Sequence, residues 1–384
     1  MTSVDRHDSD VVVIGAGLVG AACAFRLAEA GLSVTVLEQH PSPAMGSTGA
    51  SFASVRVQFS DEVNIALSWQ SIQEYRSFAE TYGTDVGYRE TGYLLLVPES
   101  EWEHHLLGVK HQRAAGAPVE VLRPEEAAAM VPMNPSGLAG ATFGSSDGVV
   151  DPHLATTAYL RLARELGACL WTSTTVQGLA RSGDDWCAST SRGEFRAPRV
   201  VNAAGAWSGA VAALAGLDVP VQPVRRIVFG TAPDPEAEPL PMTIDLQTGF
   251  FLRSEGHRML FGKANTAESP GFKPGLDWDW LEPTLDAGCA RFPWLADRPL
   301  DRKAAWSGHY EITPDHNAVL GPMPDQPGWF NACGFSGHGV MQAPMVGRVI
   351  AGQIAHPANP ILDVSAFGID RFSSGRLREE SHVF

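Results

Sequence analysis

The chain has 384 residues, of which 44 % are apolar and 18 % charged, and its formal net charge is −15. A negative charge of this size disfavours a nucleic-acid groove or an anionic membrane surface as the binding partner. The length exceeds the roughly 100–200 residues of a typical domain, which predicts two domains.

The first residues and the cysteines bear on the compartment. The first ten residues are polar and acidic, and the apolar run over residues 11–25 is interrupted by glycines and shorter than the roughly 20 residues that cross a bilayer. We therefore predict neither a signal peptide nor membrane insertion. The absence of a CxxC pair favours reduced thiols in a cytoplasmic protein; the five cysteines are Cys23, Cys169, Cys187, Cys289 and Cys333. No histidine pair has a metal-ligand spacing such as HExxH, and we predict no metal site.

The segment after residue 10 has the pattern of a strand, a tight turn, a helix and a second strand. The apolar spacing predicts a strand over residues 11–14, a helix over 21–30 and a strand over 34–38. The turn between the first strand and the helix reads GAGLVG, a GxGxxG motif. This context predicts a Rossmann-type dinucleotide site.

Each glycine of the motif has a separate role in such a site. Gly15 permits the sharp turn, Gly17 lets the backbone approach a pyrophosphate, and Gly20 allows close packing of helix on strand. Glu38 ends the second strand 23 positions after Gly15, where a ribose-binding carboxylate belongs. The alternative is a βαβ unit without a ligand, in which Glu38 is an ordinary strand-end acid. The predicted cofactor residues here are Gly15, Gly17, Leu18, Val19, Gly20, Glu38 and Gln39.

The remaining elements predict a discontinuous cofactor domain and an antiparallel second domain. Strands are predicted over residues 92–97, 250–253 and 259–262, joined by short turns without the helices that a parallel sheet needs. The fold class is thus α/β, a Rossmann-type domain plus an α+β substrate domain on a mainly antiparallel sheet. The predicted boundaries are 1–57, 148–216 and 301–384 for the cofactor domain, and 58–147 and 217–300 for the substrate domain.

Rossmann character returns in the middle of the chain. A helix is predicted over residues 153–166, a short strand over 174–176, a hairpin through Gly193 and an apolar strand over 199–202. Other predicted features are a Ser/Thr/Gly/Pro-rich binding loop over 41–54, helices over 62–82 and 344–356, and a docked surface tail with Arg371, Arg376 and Arg378.

Four spaced regions of the chain resemble the D-amino-acid oxidase superfamily, in the branch of sarcosine oxidase, its β subunit and glycine oxidase. They are the opening VVVIGAGLVGAACAFRLAEAGLSVTVLE, the loop GSTGASFASVRVQFS, the strand end VVNAAGAWSG, and the C-terminal pair WSGHYEITPDHNAVLGP and GFSGHGVMQAPMVGRVIAGQI. The resemblance covers nearly the whole chain in the same order. It implies FAD as the cofactor and amine oxidation as the reaction.

The resemblance also implies which residues contact FAD outside the glycine motif. Small residues in these places let backbone N–H groups converge on oxygen atoms. Val176 would contact the adenine through its backbone, the alternative being an ordinary strand valine. The implied contacts are Ser47, Thr48, Ser51, Phe52, Val176, Ala204, Gly205, Trp207, Gly308, Gly337, His338, Gly339, Val340 and Met341.

Two departures from the family matter. Gly308 stands where sarcosine oxidase has the cysteine that holds the flavin, and the loop 47–52 contains no histidine, so we predict non-covalent FAD. Met341 stands where the family has a lysine that pairs with the substrate carboxylate. This departure puts the family's carboxylate site in doubt.

The candidate catalytic residues are three cations and a His-Tyr pair. Arg56, which resembles the family's arginine, and Arg253 are candidates for a substrate carboxylate, with surface or interdomain ion pairs as the alternative. Lys263 lies near the family's oxygen-activating lysine, with simple solvent exposure as the alternative. His309 is a candidate proton acceptor, and Tyr310 a candidate wall of the pocket.

These residues predict hydride transfer from the carbon next to nitrogen to FAD, giving an imine, followed by reoxidation by O2 with release of H2O2. Two alternatives are a dehydrogenase that passes electrons to a quinone or partner protein, and a non-catalytic FAD-binding accessory protein. The sequence leaves the particular amine or amino acid and the oligomeric state open.

Overall fold

The computed structural model of the chain describes residues 6–378 and 380, and within these it forms twenty strands and nine α-helices. The strands are β1 Arg6–Asp8, β2 Val11–Ile14, β3 Val34–Leu37, β4 Ser54–Val55, β5 Tyr93–Pro98, β6 Val119–Leu122, β7 Leu138–Gly144, β8 Gly148–Val149, β9 Cys169–Trp171, β10 Val176–Ser182, β11 Asp185–Thr190, β12 Gly193–Ala197, β13 Arg199–Asn202, β14 Gln222–Gly230, β15 Met242–Asp245, β16 Phe250–Glu255, β17 Arg258–Lys263, β18 Trp306–Ile312, β19 Val319–Pro322 and β20 Trp329–Cys333. The helices are α1 Leu18–Glu29, α2 Glu62–Tyr82, α3 Trp102–Ala114, α4 Pro124–Met130, α5 Pro152–Glu165, α6 Ser208–Ala213, α7 Leu281–Arg291, α8 Gly339–Ala355 and α9 Asp370–Ser374.

A six-stranded sheet in the order β19-β20-β13-β2-β3-β9 carries the glycine motif. Its pairs are parallel except β19 with β20. All four residues of β2 are buried, as expected of a strand covered on both faces of a parallel sheet. Helices α1 and α8 cover one face and meet at Gly347, where an added Cβ would lie 2.7 Å from the main chain of Ala22.

The predicted helix at 344–356 begins earlier, at Gly339, because Pro344 lies inside α8 instead of starting it. A proline has no N–H group, so the carbonyl of Val340 loses its helical donor. The hydroxyl of Tyr75 on α2 donates to that carbonyl at 2.6 Å. A helix–helix hydrogen bond therefore replaces the one that the proline removes.

A second large sheet has eight strands in the order β18-β14-β17-β16-β15-β5-β7-β6. Seven strand pairs connect it, and only β15 with β5 is parallel in the described structure. Its core contains a cluster of aromatic side chains, among them Phe229, Phe250, Phe261 and Phe292. The predicted fold class, a Rossmann-type unit plus a mainly antiparallel sheet, is confirmed.

A four-stranded sheet, β1-β12-β11-β10, lies beside the parallel sheet. The predicted hairpin through Gly193 forms between β11 and β12. The predicted strand over 174–176 instead begins at Val176 and continues to Ser182, because its partner β11 extends to Asp185.

The domain boundaries stay a prediction, and one strand bears on them. β18 falls within the predicted cofactor range 301–384, yet it pairs with β14 at the edge of the eight-stranded sheet. This strand therefore connects the two predicted domains.

The C-terminal segment docks through ion pairs. Arg371 and Asp315 are both almost fully buried, with an Nε–Oδ2 distance of 2.7 Å. Burial opposes ionisation of Asp315, but the hydrogen bond and charge of Arg371 hold its pKa below the ordinary value. Arg376 contacts Asp370, and Arg378 contacts Asp61 on the N-terminal cap of α2. Truncating Arg371 would leave a buried charge unpaired.

Across residues 6–378 and 380, no helix is both long enough and apolar enough to cross a membrane. All five cysteines are free.

Candidate active site

A cavity of about 340 Å³ is lined by both large sheets. One end lies at the carboxyl ends of β2 and β3, where open parallel sheets place their ligands. The other end is walled by β14, β16, β17 and β18 of the eight-stranded sheet. A ligand in this cavity therefore contacts both layers.

The glycine motif shapes the first end by its main chain. Gly15 has φ +105°, and an added Cβ would lie 2.4 Å from the carbonyl oxygen of Ala203. An added Cβ on Gly20 would lie 2.0 Å from the carbonyl oxygen of Gly15. At Gly17 the nearest atom to an added Cβ is the Thr48 hydroxyl at 3.0 Å. Two of the glycines thus serve packing, while Gly17 faces the cavity.

The first turn of α1 has the chemistry of an anion site. It carries no acidic residue, and its N-cap Gly17 has no side chain to occupy the free N–H groups. Thr48 accepts from the N–H of Leu18 at 3.1 Å and leaves its neighbours available. Free N–H groups and the helix dipole together favour a pyrophosphate.

Glu38 is held in place by backbone donors. Its two carboxylate oxygens accept from the N–H groups of Ala16 and His40, both at 2.8 Å. It is 6 % exposed and lines the cavity. A carboxylate has about four acceptor positions, so two remain for ribose hydroxyls. Gln39 and Val176 line the same end.

The structure brings most of the predicted cofactor residues to the cavity wall. Those lining it are Gly15, Gly17, Leu18, Val19, Glu38, Gln39, Ser47, Thr48, Ser51, Phe52, Val176, Ala204, Gly205, Trp207, Gly308, Gly337, Gly339 and Val340. Gly20, His338 and Met341 are outside it. Gly20 packs on Gly15, and His338 contacts Arg56 and the Phe59 ring.

The two loops of the wall are tied to β18. Ser47 donates to the carbonyl of His309 at 2.7 Å, and Trp306 donates to the carbonyl of Ala50 at 3.0 Å. An added Cβ on Gly337 would lie 2.4 Å from the Tyr310 ring. The fold of the cofactor loops therefore depends on a strand of the opposite sheet.

Two predicted arginines, Arg56 and Arg253, do not reach the cavity wall. The guanidinium of Arg56 donates to the carbonyl of Gln58 and lies 4.2 Å above the Phe59 ring. Arg253 donates to the carbonyl of Phe52 at 3.0 Å and pairs with Glu255. Both guanidinium groups are held by protein acceptors, and their binding of a substrate carboxylate stays a prediction.

The other three predicted catalytic residues, His309, Tyr310 and Lys263, line the cavity. Burial lowers the pKa of His309, and its Nε2 accepts from the N–H of Lys273 at 3.1 Å. Burial raises the pKa of Tyr310, which keeps its hydroxyl protonated. The Lys263 ammonium lies 5.8 Å from the centre of the Trp280 ring.

Sequence reasoning missed Arg226, which lines the cavity from β14. Its guanidinium carbon lies 5.3 Å from the centre of the Tyr310 ring. Sequence reasoning also missed the whole strand β14. The signal that could have found Arg226 is a positive charge inside the apolar run over residues 224–229.

Glu311 is a second buried group of the wall that was not predicted. Its carboxyl group accepts from the N–H of Gly334 at 2.7 Å, and burial raises its pKa to about 7. Its main-chain carbonyl accepts from Ser336. Glu311 therefore joins β18 to the turn that precedes α8.

The chain was compared with known proteins. Residues 10–353 match the model of the FAD dependent oxidoreductase family. L-proline dehydrogenase from P. horikoshii is 31 % identical with a TM-score of 0.90, covering 97 % of this chain and 100 % of that chain. Glycine oxidase from Geobacillus kaustophilus is 27 % identical with a TM-score of 0.81, covering 95 % and 99 %. FAD-dependent oxidoreductase domain-containing protein 1 of Xenopus laevis is 30 % identical over 95 % of this chain and 83 % of its own length.

The family match confirms the resemblance to D-amino-acid oxidase-type proteins, and the glycine turn, the open N-terminus of α1 and the fixed Glu38 fit the phosphates and ribose of a dinucleotide. The chain therefore belongs to the FAD-dependent oxidoreductase family, and FAD is its redox cofactor.

Proposed function

We propose that this protein oxidises the carbon–nitrogen bond of a small amine or amino acid by hydride transfer to FAD, giving an imine that water hydrolyses. The observation that carries the proposal is the continuity of the dinucleotide end of the cavity with a section walled by Phe251, Tyr310 and Arg226. Such a section has room for a small organic substrate beside the cofactor. The names of two structural relatives, which specify proline and glycine, support the same substrate class.

FAD would supply the two-electron acceptor, and the chain would supply position and protection from water. The N–H group of Val19, next to the Leu18 N–H that Thr48 occupies, would bind the pyrophosphate, Glu38 the ribose and the Val176 backbone the adenine. Ser47, Ser51 and the turn at Gly337 would surround the isoalloxazine. Each of these residues lines the cavity.

The substrate nitrogen has to lose a proton before the neighbouring carbon can transfer a hydride. We assign this proton to His309, because burial lowers its pKa and keeps the ring neutral. Since Nε2 accepts from the N–H of Lys273, the ring proton lies on Nδ1, and His309 would take the substrate proton at Nε2 after this hydrogen bond opens. Tyr310, protonated and buried, would form the adjacent wall.

The cofactor is proposed to be non-covalent. An added Cβ on Gly308 would lie 2.8 Å from the Cβ of Ala50, which leaves no space for a cysteine without a shift of the loop. The loop 47–52 contains no histidine. Acid precipitation of the holoenzyme is expected to release all of the flavin into the supernatant.

The cytoplasmic location also stays a proposal, supported by the free cysteines.

For reoxidation we propose O2 as the acceptor, with H2O2 as the product. Lys263 supports this, because the residue lines the cavity and its ammonium, which lies near the Trp280 ring, would stabilise negative charge developing on reduced oxygen if it turned toward the cavity. The second candidate is electron transfer to a quinone or partner protein. The similarity to a protein named L-proline dehydrogenase favours it.

The test is anaerobic loss of the flavin absorbance of the holoenzyme with a panel of primary, N-methylated and cyclic amino acids and plain amines. We expect one class to bleach the flavin, and readmitted air to restore its colour with one H2O2 per flavin. Recovery that requires an added quinone or dye would favour the second candidate. Absence of bleaching by every compound would contradict amine oxidation.

A further inference from the structure

We propose that Arg226 binds the substrate carboxylate and so restricts the enzyme to amino acids, taking over from the loop arginine and the helix lysine of the family. This inference rests on the proposed function for its catalytic meaning. It concerns a residue on the eight-stranded sheet, away from both places where the family resemblance predicts a carboxylate partner.

Arg226 is fixed on a rigid strand and directed at the cavity. It lies on β14, which pairs with β17 on one side and β18 on the other. The residue opposite on β18 is Gly308, which has no side chain to obstruct the guanidinium. Two positions further along β18 lies Tyr310, whose ring is 5.3 Å from the guanidinium carbon. A site built on packed strands holds its geometry better than one on a loop.

Arg226 makes no ion pair with an acid among the described residues, although Glu268 acts on it from a longer distance. Its Nη1 donates to the carbonyl of Arg225 at 3.1 Å, and its buried Nε has no acceptor there. The preceding residue differs, because Arg225 contacts Glu268 at 3.1 Å and Asp277 at 3.3 Å. The side chain of Arg226 is half-buried, and this partial burial lowers its pKa. An anion bound in the cavity would supply the opposite charge that the guanidinium lacks at contact distance.

The other charged groups near the cavity do not replace Arg226. Arg56 and Arg253 are held by main-chain carbonyls away from the wall. Met341, at the family's lysine position, is 6 % exposed and belongs to the hydrophobic core of α8. Glu311 lines the cavity, but its carboxyl group is bound by the N–H of Gly334.

The arrangement implies a defined orientation of the substrate. The carboxylate would take the bidentate face of the Arg226 guanidinium. The hydrocarbon part would lie against Val228 and Phe251, which are apolar cavity residues on the same face of the sheet as Arg226. The substrate class is therefore an amino acid with a small apolar side chain or ring, and an amine without a carboxylate lacks the anion that Arg226 requires.

The first test measures binding without turnover. Acetate is titrated into the oxidised holoenzyme, and the flavin difference absorbance gives its Kd. We expect Arg226→Gln to raise that Kd on the order of 100-fold and Arg226→Lys to give an intermediate value, since lysine keeps the charge but not the fork. The matched control Arg225→Gln removes a charge one residue away and is expected to stay within about threefold of the parent protein.

Flavin content and the flavin spectrum of each variant check that the cofactor site is intact. Unchanged acetate binding in Arg226→Gln, or no saturable acetate binding in the parent protein, would overturn the inference. If Arg56→Gln loses acetate binding and Arg226→Gln keeps it, the loop residue Arg56 and not Arg226 binds the carboxylate.

The second test compares L-proline, L-prolinamide and pyrrolidine as anaerobic reductants of the flavin. We expect Arg226 to make proline the best of the three, with its advantage reduced on the order of 100-fold in Arg226→Gln. Equal reduction by proline and pyrrolidine in the parent protein would overturn the inference and leave amine oxidation standing. If acetate binding depends on Arg226 but no compound reduces the flavin, the carboxylate site would stand and amine oxidation would be contradicted.

Discussion

The two ends of the cavity are built differently. At the dinucleotide end the ligand-facing groups are backbone N–H groups around Gly15 and Gly17, and the main side chain, Glu38, is itself held by backbone donors. At the other end the wall consists of side chains, among them Arg226 and Tyr310, from strands that are distant from each other in the chain. A site made of backbone needs particular small residues at fixed spacing, whereas a site made of side chains depends on which strands the fold brings together.

The largest expected effect comes from breaking the backbone end. Gly15→Ala introduces a Cβ 2.4 Å from the Ala203 carbonyl at φ +105°, so we expect loss of FAD from the purified protein. The matched control is Gly31→Ala, which has φ +84° and no atom within 4 Å of the added Cβ. It is expected to lose only about 1–2 kcal/mol of stability, because of backbone strain, and to keep its FAD.

Flavin-to-protein ratio and denaturant unfolding measure both variants. If Gly15→Ala retains FAD as the control does, the close approach of the turn to Ala203 is not needed for the site.

A second prediction concerns Asp147, a fully buried carboxyl group outside the cavity wall. Asp147 accepts from the N–H of Val57 at 2.9 Å and from Gln58 at 3.0 Å. Burial raises its pKa from 3.8 to about 7, so the folded protein binds more protons than the unfolded chain between these values. Its contribution therefore favours folding at low pH and is lost as the pH rises through about 7.

We expect Asp147→Asn to remove on the order of 2 kcal/mol of the fall in unfolding free energy between pH 5 and pH 8. Denaturant unfolding at both pH values gives this double difference. Asp85→Asn is the control, since Asp85 is exposed and its hydrogen bond with Arg89 lowers its pKa, so that it titrates below this pH range and predicts no change between pH 5 and pH 8. An unchanged pH dependence in Asp147→Asn would show that Asp147 is ionised when folded.

A third prediction concerns Glu38, the main side chain of the dinucleotide end. Glu38→Gln replaces one acceptor by an NH2 group facing a backbone N–H, so FAD should bind about 10-fold more weakly. Titration of apoprotein with FAD measures this. In Arg226→Gln the FAD affinity is expected to match that of the parent protein, because Arg226 belongs to the other end. Equal losses in both variants would remove the distinction between the ends.

The smallest effect is expected at the rim. Phe272 is 45 % exposed and stacks on Trp207 of the cavity wall, with ring centres 4.7 Å apart. Phe272→Ala removes this contact, and FAD should dissociate about threefold faster. Leu300→Ala, also at an exposed apolar residue outside the wall, is the control. Identical dissociation rates in stopped-flow fluorescence would exclude a role of the stack in retaining FAD.

This difference explains what the sequence could predict. The glycine turn, the following helix and α2 were predicted from local spacing, and the bounds of α2 agree with the structure. Most of the implied FAD residues line the cavity, because short loops next to predicted elements carry them. Their contacts with FAD stay a prediction.

The side-chain end could not be predicted in the same way. Arg56 and Arg253 were plausible from residue type, but their guanidinium groups are held by carbonyls that only the folded chain brings near. Arg226 became visible only when β14 was placed between β17 and β18. The start of α8 was misplaced because proline normally begins a helix, whereas Tyr75 compensates for Pro344 inside this one.

The central claim, oxidation of a carbon–nitrogen bond by bound FAD, is tested most directly by single-turnover product analysis. The holoenzyme is mixed without oxygen with one equivalent of an amino acid that bleaches it, and flavin reduction and carbonyl product are measured together. We expect one imine-derived carbonyl compound for each flavin reduced. Flavin that stays oxidised with every amino acid and amine, or is reduced without such a product, would contradict it.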